Sequence, residues 1–142
     1  LAQAALPAAQ AGAAEDRYLV SLDKPAATAG QARFEAGDHA GAASAFARLA
    51  AARPRSFEAL FSLARCELEA GETRRARHAF ERALELPEPA EERFLYEAFG
   101  RAVELAEAAG EAQQALALAR RMQARFPADP NVRAVVQRLE GS

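Results

Sequence analysis

The side chains best suited to chemistry in this chain are few. They are one cysteine, Cys66, two histidines, His39 and His78, and two arginine clusters, Arg74/Arg75/Arg77 and Arg120/Arg121/Arg125. A thiolate nucleophile needs a lowered pKa, and Arg65 beside Cys66 would supply one. A lone cysteine in the middle of a helix is ordinarily a small core hydrophobe, however, and Cys66 is read that way. Neither histidine belongs to an HExxH pair or to a Cys/His spacing that would hold zinc, so both are read as solvated side chains. The eight glycines contain no GxGxxG and no GxxxxGK, which removes the phosphate-cradling loop of nucleotide enzymes. No catalytic residue, cofactor or metal is expected, and the chain is not expected to be an enzyme.

The arginines admit a structural account. Arg74, Arg75 and Arg77 open a helix, where positive charge opposes the helix dipole, but Glu72, Glu81 and Glu85 are close enough along the chain to offset them. Arg120, Arg121 and Arg125 fall late in a helix, where cations are favoured. Both clusters read as mixed-charge solvated faces. Eighteen basic against twenty acidic residues leave a formal charge of −2, so no basic field draws in a phosphate backbone and nucleic acid is not an expected partner. Lys24 is the only lysine, and the Arg excess is read as compositional bias. No run approaches eighteen apolar residues, so no membrane span is expected. One cysteine excludes an internal disulfide and leaves the compartment open. The small-residue opening Leu1-Ala2-Gln3-Ala4-Ala5 resembles the flank of a secretory cleavage site, from which a periplasmic or exported location is expected.

The elements that position these residues are helices. A chain of 142 residues suffices for one domain with a core that needs no staples, and its abundant alanine favours helix. The decisive feature is repetition. Glu35-Ala36-Gly37-Asp38 recurs as Glu69-Ala70-Gly71-Glu72, and 71 − 37 is 34. Ala42, Ala45, Phe46 and Arg48 recur at the same offset as Ala76, Ala79, Phe80 and Arg82. A third unit turns at Glu107-Ala108-Ala109-Gly110-Glu111 and continues with Ala115, Ala119 and Met122. There 110 − 71 is 39, so five extra residues lie in the preceding helix or in the loop marked by Pro87 and Pro89. A longer fifth helix is expected.

Each unit reads as two helices around a glycine in the left-handed region. The expected helices run from about 25 to 36 (with Asp23 as N-cap), 38 to 52, 56 to 70, 73 to 86, 90 to 109 and 111 to 126. In unit two Leu60, Leu63, Ala64 and Leu68 fall at helical spacing before the turn, and Ala76, Ala79, Phe80, Ala83 and Leu84 after it. Past Pro130, Val132, Val135, Val136 and Leu139 form one narrow stripe, as a helix that closes an array must.

A helix, a Gly-Asp or Gly-Glu turn, a second helix with an early Ala and an aromatic four residues on, and a closing Pro at a 34-residue period resemble the tetratricopeptide repeat. Gly30 and Ala64 meet its small residue in the first helix, Ala42, Ala76 and Ala115 its post-turn Ala, and Pro54 and Pro127 its closing Pro. Departures are Ala26 for the large residue early in the first helix, Phe34 and Leu68 one place late, and Ala119 for the aromatic of unit three.

The resemblance implies an all-α fold, a right-handed α-α superhelix of antiparallel helix pairs. Its repeats would span about 23–54, 55–88 and 90–127, with a capping helix at about 130–140. It also implies a protein-protein interaction scaffold, here expected in a bacterial cell-envelope assembly, that holds a peptide or protein segment in a concave groove lined by the first helices. The alternative is a self-association module forming homo-oligomers by repeat stacking or through the leader 1–22. That leader is read as flexible or helical, with Tyr18, Leu19, Val20 and Leu22 docking on the first repeat.

Carried over residue by residue, the groove comprises Lys24, Ala27, Gln31 and Glu35, then Glu58, Phe61, Ser62, Arg65, Leu68 and Glu69, then Glu97, Arg101 and Glu104. Phe61 is either an exposed anchor beside Arg65 or a core residue. Family members that clamp a C-terminal carboxylate use Lys and Asn where this chain has Ala27, Gln31 and Ser62. Only Arg101 fits, so binding of an EEVD-type peptide is not expected.

Overall fold

The computed structural model describes residues 27–89 and 91–141, and the account below is of those residues. The leader 1–22, together with Asp23, Lys24, Pro25 and Ala26, lies outside them. Residues 27–35 are helical (α1). There follow α2 (His39–Ala52), α3 (Phe57–Glu69), α4 (Thr73–Leu84), α5 (Glu92–Ala108), α6 (Ala112–Arg125) and α7 (Pro130–Glu140). From α2 onward each helix packs chiefly on the next along the chain, the contact pattern of a solenoid. The fold is an all-α superhelix of antiparallel helix pairs.

The three hairpins turn by one mechanism. Gly37, Gly71 and Gly110 sit at φ 86°, 83° and 78°, a region open to glycine at little cost. In each case the glycine N–H and the N–H that follows reach back to two orphan carbonyls of the finished helix. Gly71 N–H donates to Leu68 at 3.1 Å and Glu72 N–H to Glu67 at 2.8 Å, with the same pair of bonds at Gly37/Asp38 and Gly110/Glu111. The acidic residue after each glycine is then the N-cap of the next helix. Only Asp38 uses its side chain for this, accepting from Gly41 N–H at 3.0 Å.

The inner seam keeps the register of the repeat. Ala42, Ala76 and Ala115 are each fully buried, and Phe46 and Phe80 are 4% and 0% exposed. Residue size is complementary across each hairpin. The second helices carry Phe46, Phe80 and the small Ala119, and the first helices carry the small Gly30 and Ala64 and then the larger Val103, each seven residues before its turn glycine. At Gly30 the reason is geometric: a Cβ there would lie 2.8 Å from Cε2 of Phe46. Core packing at crystal-like density admits one filling of that space, so the pair is set jointly.

Expected boundaries shift in two places. The second helix of unit two ends at Leu84 and not at Leu86, closing with short bonds from Glu85 N–H to Arg82 and Leu86 N–H to Ala83. Of the five extra residues in unit three, four lengthen the helix: Phe57 to Gly71 is 14 positions, Glu92 to Gly110 is 18. The fifth lies ahead of it. Asp129 caps α7, accepting from Asn131 and Val132 N–H at 2.8 and 3.2 Å, with Pro130 in the first turn. Val132, Val136 and Leu139 are buried against the core, and Val135 is partly so.

Candidate functional site

The first helices of the units, α1, α3 and α5, carry the positions expected to face the groove. On α1, Gln31 is exposed and its Nε2 donates to Glu35 Oε1 at 3.2 Å, one turn on. On α3, Arg65 lies across two rings, with Cζ 5.8 Å from the centre of Phe34 and 5.6 Å from that of Phe61. Its Nε is 3.6 Å from Glu97 Oε2 on α5, so one guanidinium ties the first helices of all three units together. Ser62 is half-buried one turn before.

Between α1, α2 and α3 the surface opens into two adjoining hollows. One, of about 430 Å³, is lined by Ala27, Thr28, Gln31, Glu35, Phe46 and Ser62. The other, of about 400 Å³, shares Ala27, Phe46 and Ser62 with it and extends to Leu49, Ser56, Glu58 and Ala59. Both lie within the range of ordinary ligand pockets, roughly 300–1,000 Å³.

The structure therefore brings Gln31, Glu35, Ser62 and Arg65 to one region. Glu58 and Glu69 are exposed toward opposite ends of α3, and Leu68 is half-buried against the core. Arg101 stands apart, 3.3 Å from Glu104 on its own helix. Lys24 lies outside the described residues.

The exposed-anchor reading of Phe61 is corrected. Phe61 is 3% exposed and packs on Phe57, Phe80 and Phe94 at ring-centre distances of 5.7, 6.0 and 5.2 Å. Only its face toward Arg65 bears on the groove. Phe34 and Phe46 line the site without having been singled out for it. The repeat carries a signal for Phe34, which precedes the groove position Leu68 by 34 residues.

Chemistry at the candidate nucleophile is disfavoured. Cys66 is 2% exposed, and burial pushes its thiol up to about 11 against the opposing pull of Arg65. His39 packs edge-on against Phe34 at 5.0 Å, and His78 is exposed. Among the described residues no three His, Cys, Asp or Glu side chains gather to hold a metal ion, and no helix is long and apolar enough to cross a membrane.

The arginine clusters do more than dress a solvated face. Arg77 pairs with Glu81 on its own helix and with Glu111 of the next unit. Arg121 meets Glu85 at 3.3 Å and the carbonyl of Leu84 at 3.2 Å, and Arg125 holds Glu88 and Glu92. Arg138 on α7 grips Glu107 with two bonds of 2.7 and 2.8 Å. These pairs fasten the second unit to the third and the third to α7.

Stacked helical hairpins with a surface opening between their first helices define the class: a tetratricopeptide-type solenoid, the architecture of a protein-interaction scaffold. Residues 33–92 match the family model described as tetratricopeptide repeat, so this stretch of the chain carries that repeat. Among solved structures it is similar to the N-terminal domain of stress-induced protein-1 (STI-1) from C. elegans. The two are 18% identical over 86% of this chain and 97% of that chain, with a TM-score of 0.74. It is also similar to the Yersinia enterocolitica type III secretion chaperone SycD in complex with a peptide of the translocator YopD. There the identity is 16% over 84% and 93% of the two chains, with a TM-score of 0.67. A third similar structure is PcrH in complex with the chaperone binding region of PopD, 18% identical over 85% and 87%, with a TM-score of 0.61. At these identities the likeness is one of fold. No curated protein matches the chain.

Proposed function

We propose that this chain binds a segment of a partner protein across the inner face of α1, α3 and α5, with Gln31, Glu35, Ser62 and Arg65 as the polar contacts. The observation that carries the reading is the open hollow of about 430 Å³ with Gln31, Glu35 and Ser62 on its rim and Phe46 in its lining. An apolar lining under a few convergent polar groups is what peptide recognition needs: the floor supplies affinity and the rim supplies register. The guanidinium of Arg65 is preorganised by Phe34, Phe61 and Glu97, so less freedom is lost when a partner carboxylate or carbonyl meets it. The structures of SycD and PcrH, similar in fold, hold a peptide of YopD and the chaperone binding region of PopD, which supports the same use of the fold here.

The test is crosslinked capture from the source cell followed by mapping of the crosslinks, with wild type, Arg65→Glu and the outer-face control Arg74→Glu compared at equal helicity. Wild type and Arg74→Glu are expected to capture the same partner through the α1–α3 face, and Arg65→Glu to lose it. Equal capture by all three, or crosslinks confined to α2, α4 and α6, would refute the reading. An EEVD-type peptide is expected not to bind, since Ala27, Gln31 and Ser62 offer no carboxylate clamp.

A further inference from the structure

The hollow of about 400 Å³ exists because the first seam lacks two rings that the second seam has. Between units two and three, Phe61 of α3 and Phe94, the third residue of α5, meet at 5.2 Å and fill the space beside Phe80. One unit earlier, the residue 34 before Phe61 is Ala27, and the third residue of α3 is Ala59. Phe46 stands in for Phe80. Two phenyl rings thus give way to two methyl groups, Ala27 at the repeat offset of 34 and Ala59 at the matching place from the helix start, and the space is lined by Ala27, Phe46, Leu49 and Ala59 together with Arg53 and Glu58. A largely apolar hollow of this size forfeits the packing that the corresponding residues make in the next unit.

We propose that the chain's own segment Tyr18-Leu19-Val20-Ser21-Leu22 fills this socket and supplies in trans-sequence the aromatic and aliphatic groups that α1 does not carry. The chain enters the described residues at Ala27, which itself lines the socket, so the segment is tethered at its mouth. Leu22 is five residues from Ala27 and Tyr18 nine; at roughly 3.3–3.6 Å for each residue the tether reaches roughly 17 and 30 Å, enough to turn back over α1. A short tether holds its end near the socket at a high effective concentration, so modest contact area suffices. The composition fits. Tyr18, Leu19, Val20 and Leu22 are the apolar cluster nearest to Ala27, while Leu1 to Ala14 offers mainly alanine and glutamine. Ser56 and Ser62 on the wall give the tyrosine hydroxyl and the segment's backbone polar partners. The segment covers the Glu58 end of the inner face and leaves the Arg65 and Phe34 end to a partner.

The chain has no tryptophan, so Tyr18→Trp places a single reporter at the proposed contact. In the full chain its emission is expected to be blue-shifted relative to the urea-unfolded chain and its quenching by acrylamide reduced several-fold, at every protein concentration. Adding Ala27→Phe, which restores the ring of unit two, is expected to abolish both effects while helicity is kept; Ala59→Phe serves the same end at a second site if Ala27→Phe lowers helicity. Native emission and quenching equal to those in urea overturn the proposal. So does a blue shift that survives both fillings, and a blue shift that appears only as concentration rises assigns the socket to a second copy instead. None of these readings depends on capture of a partner, so failure here and failure of the proposed function are separable.

Discussion

The size complementarity across each hairpin can be tested by transplanting the pair of unit three into unit one. Gly30→Val alone places a Cβ 2.8 Å from Cε2 and 3.0 Å from Cζ of Phe46, against an ordinary carbon contact of about 3.5–4.0 Å. Phe46 is 4% exposed, so displacing its ring from this packing is expected to cost about 1–3 kcal/mol, offset by a few tenths from the better helix propensity of valine. Phe46→Ala alone is expected to cost about 3–5 kcal/mol through lost burial and the cavity left behind. Together the two substitutions recreate Val103 opposite Ala119, and the valine enters space that the ring has left. The double variant should then be less destabilised than the sum of the singles by about 1–3 kcal/mol. Urea denaturation followed by far-UV circular dichroism on all four proteins gives the coupling directly. Additive penalties would show that Gly30 and Phe46 do not share one space and that residue size is not coupled across the hairpin.

Three further expectations concern titratable groups. Cys66, with its thiol raised to about 11, should resist iodoacetamide at pH 7 in the native chain and react freely in denaturant; equal rates would contradict its burial. Burial raises the carboxyl of Glu67, with Arg75 opposing and Glu72 adding, so its ionisation in the fold is unfavourable and stability is lost as pH rises through its folded pKa. Glu67→Gln should therefore raise the urea midpoint at pH 7 and lose that advantage below about pH 4, the ordinary carboxylate range; no gain at pH 7 would refute it. Glu107 is lowered by its bonds to Arg138, and Asp129 by the N–H of Val132. Their contribution is present above the ordinary carboxylate values near 4 and is lost as pH falls through the lower folded values. Hydrogen exchange in α7 should consequently accelerate ahead of α3 and α4 on acidification, and simultaneous loss would count against the caps.

What was legible in the sequence is what one hairpin decides locally. The Gly-acid doublets at 37, 71 and 110 dictate positive φ, a double backbone closure and a new helix, all within six residues. The stripe of α7 likewise follows from spacing alone. Features that depend on the neighbouring unit were not legible. Phe61 sits at a groove-facing register, yet its ring is covered because Phe94 arrives beside it, and the position of Phe94 follows from an insertion that periodicity could locate only to a helix or a loop. The arginines were matched to acids nearby in the chain, whereas Arg121, Arg125 and Arg138 find theirs 31 to 37 residues away.

The two seams of this solenoid are built differently, and the difference coincides with the candidate site. Between units two and three, rings fill the inner space and ion pairs close the outer edge. At the first seam Ala27 and Ala59 stand for Phe61 and Phe94, and Ala43 and Ala51 stand 34 residues before Arg77 and Glu85. The buried residues of the first unit accordingly form a small cluster of Ala42 and Phe46 with Cys66, joined only through the partly buried Leu49 and Leu63 to the large one that runs from Ala50 to Leu139. In a stack where each unit touches only its neighbours, stability is a sum of unit and seam contributions, so a seam that lacks its filling rings weakens one end without softening the rest. Binding surfaces are drawn from such low-stability regions because a partner can reshape them at small cost. The hollows open at this seam, and the rigid second seam beside it holds Arg65 in place through Phe61 and Glu97. In the proposed binding mode, an adaptable pocket set beside a guanidinium held by two rings and an acid would accept varied apolar side chains while keeping one polar register, a division that neither seam could provide alone.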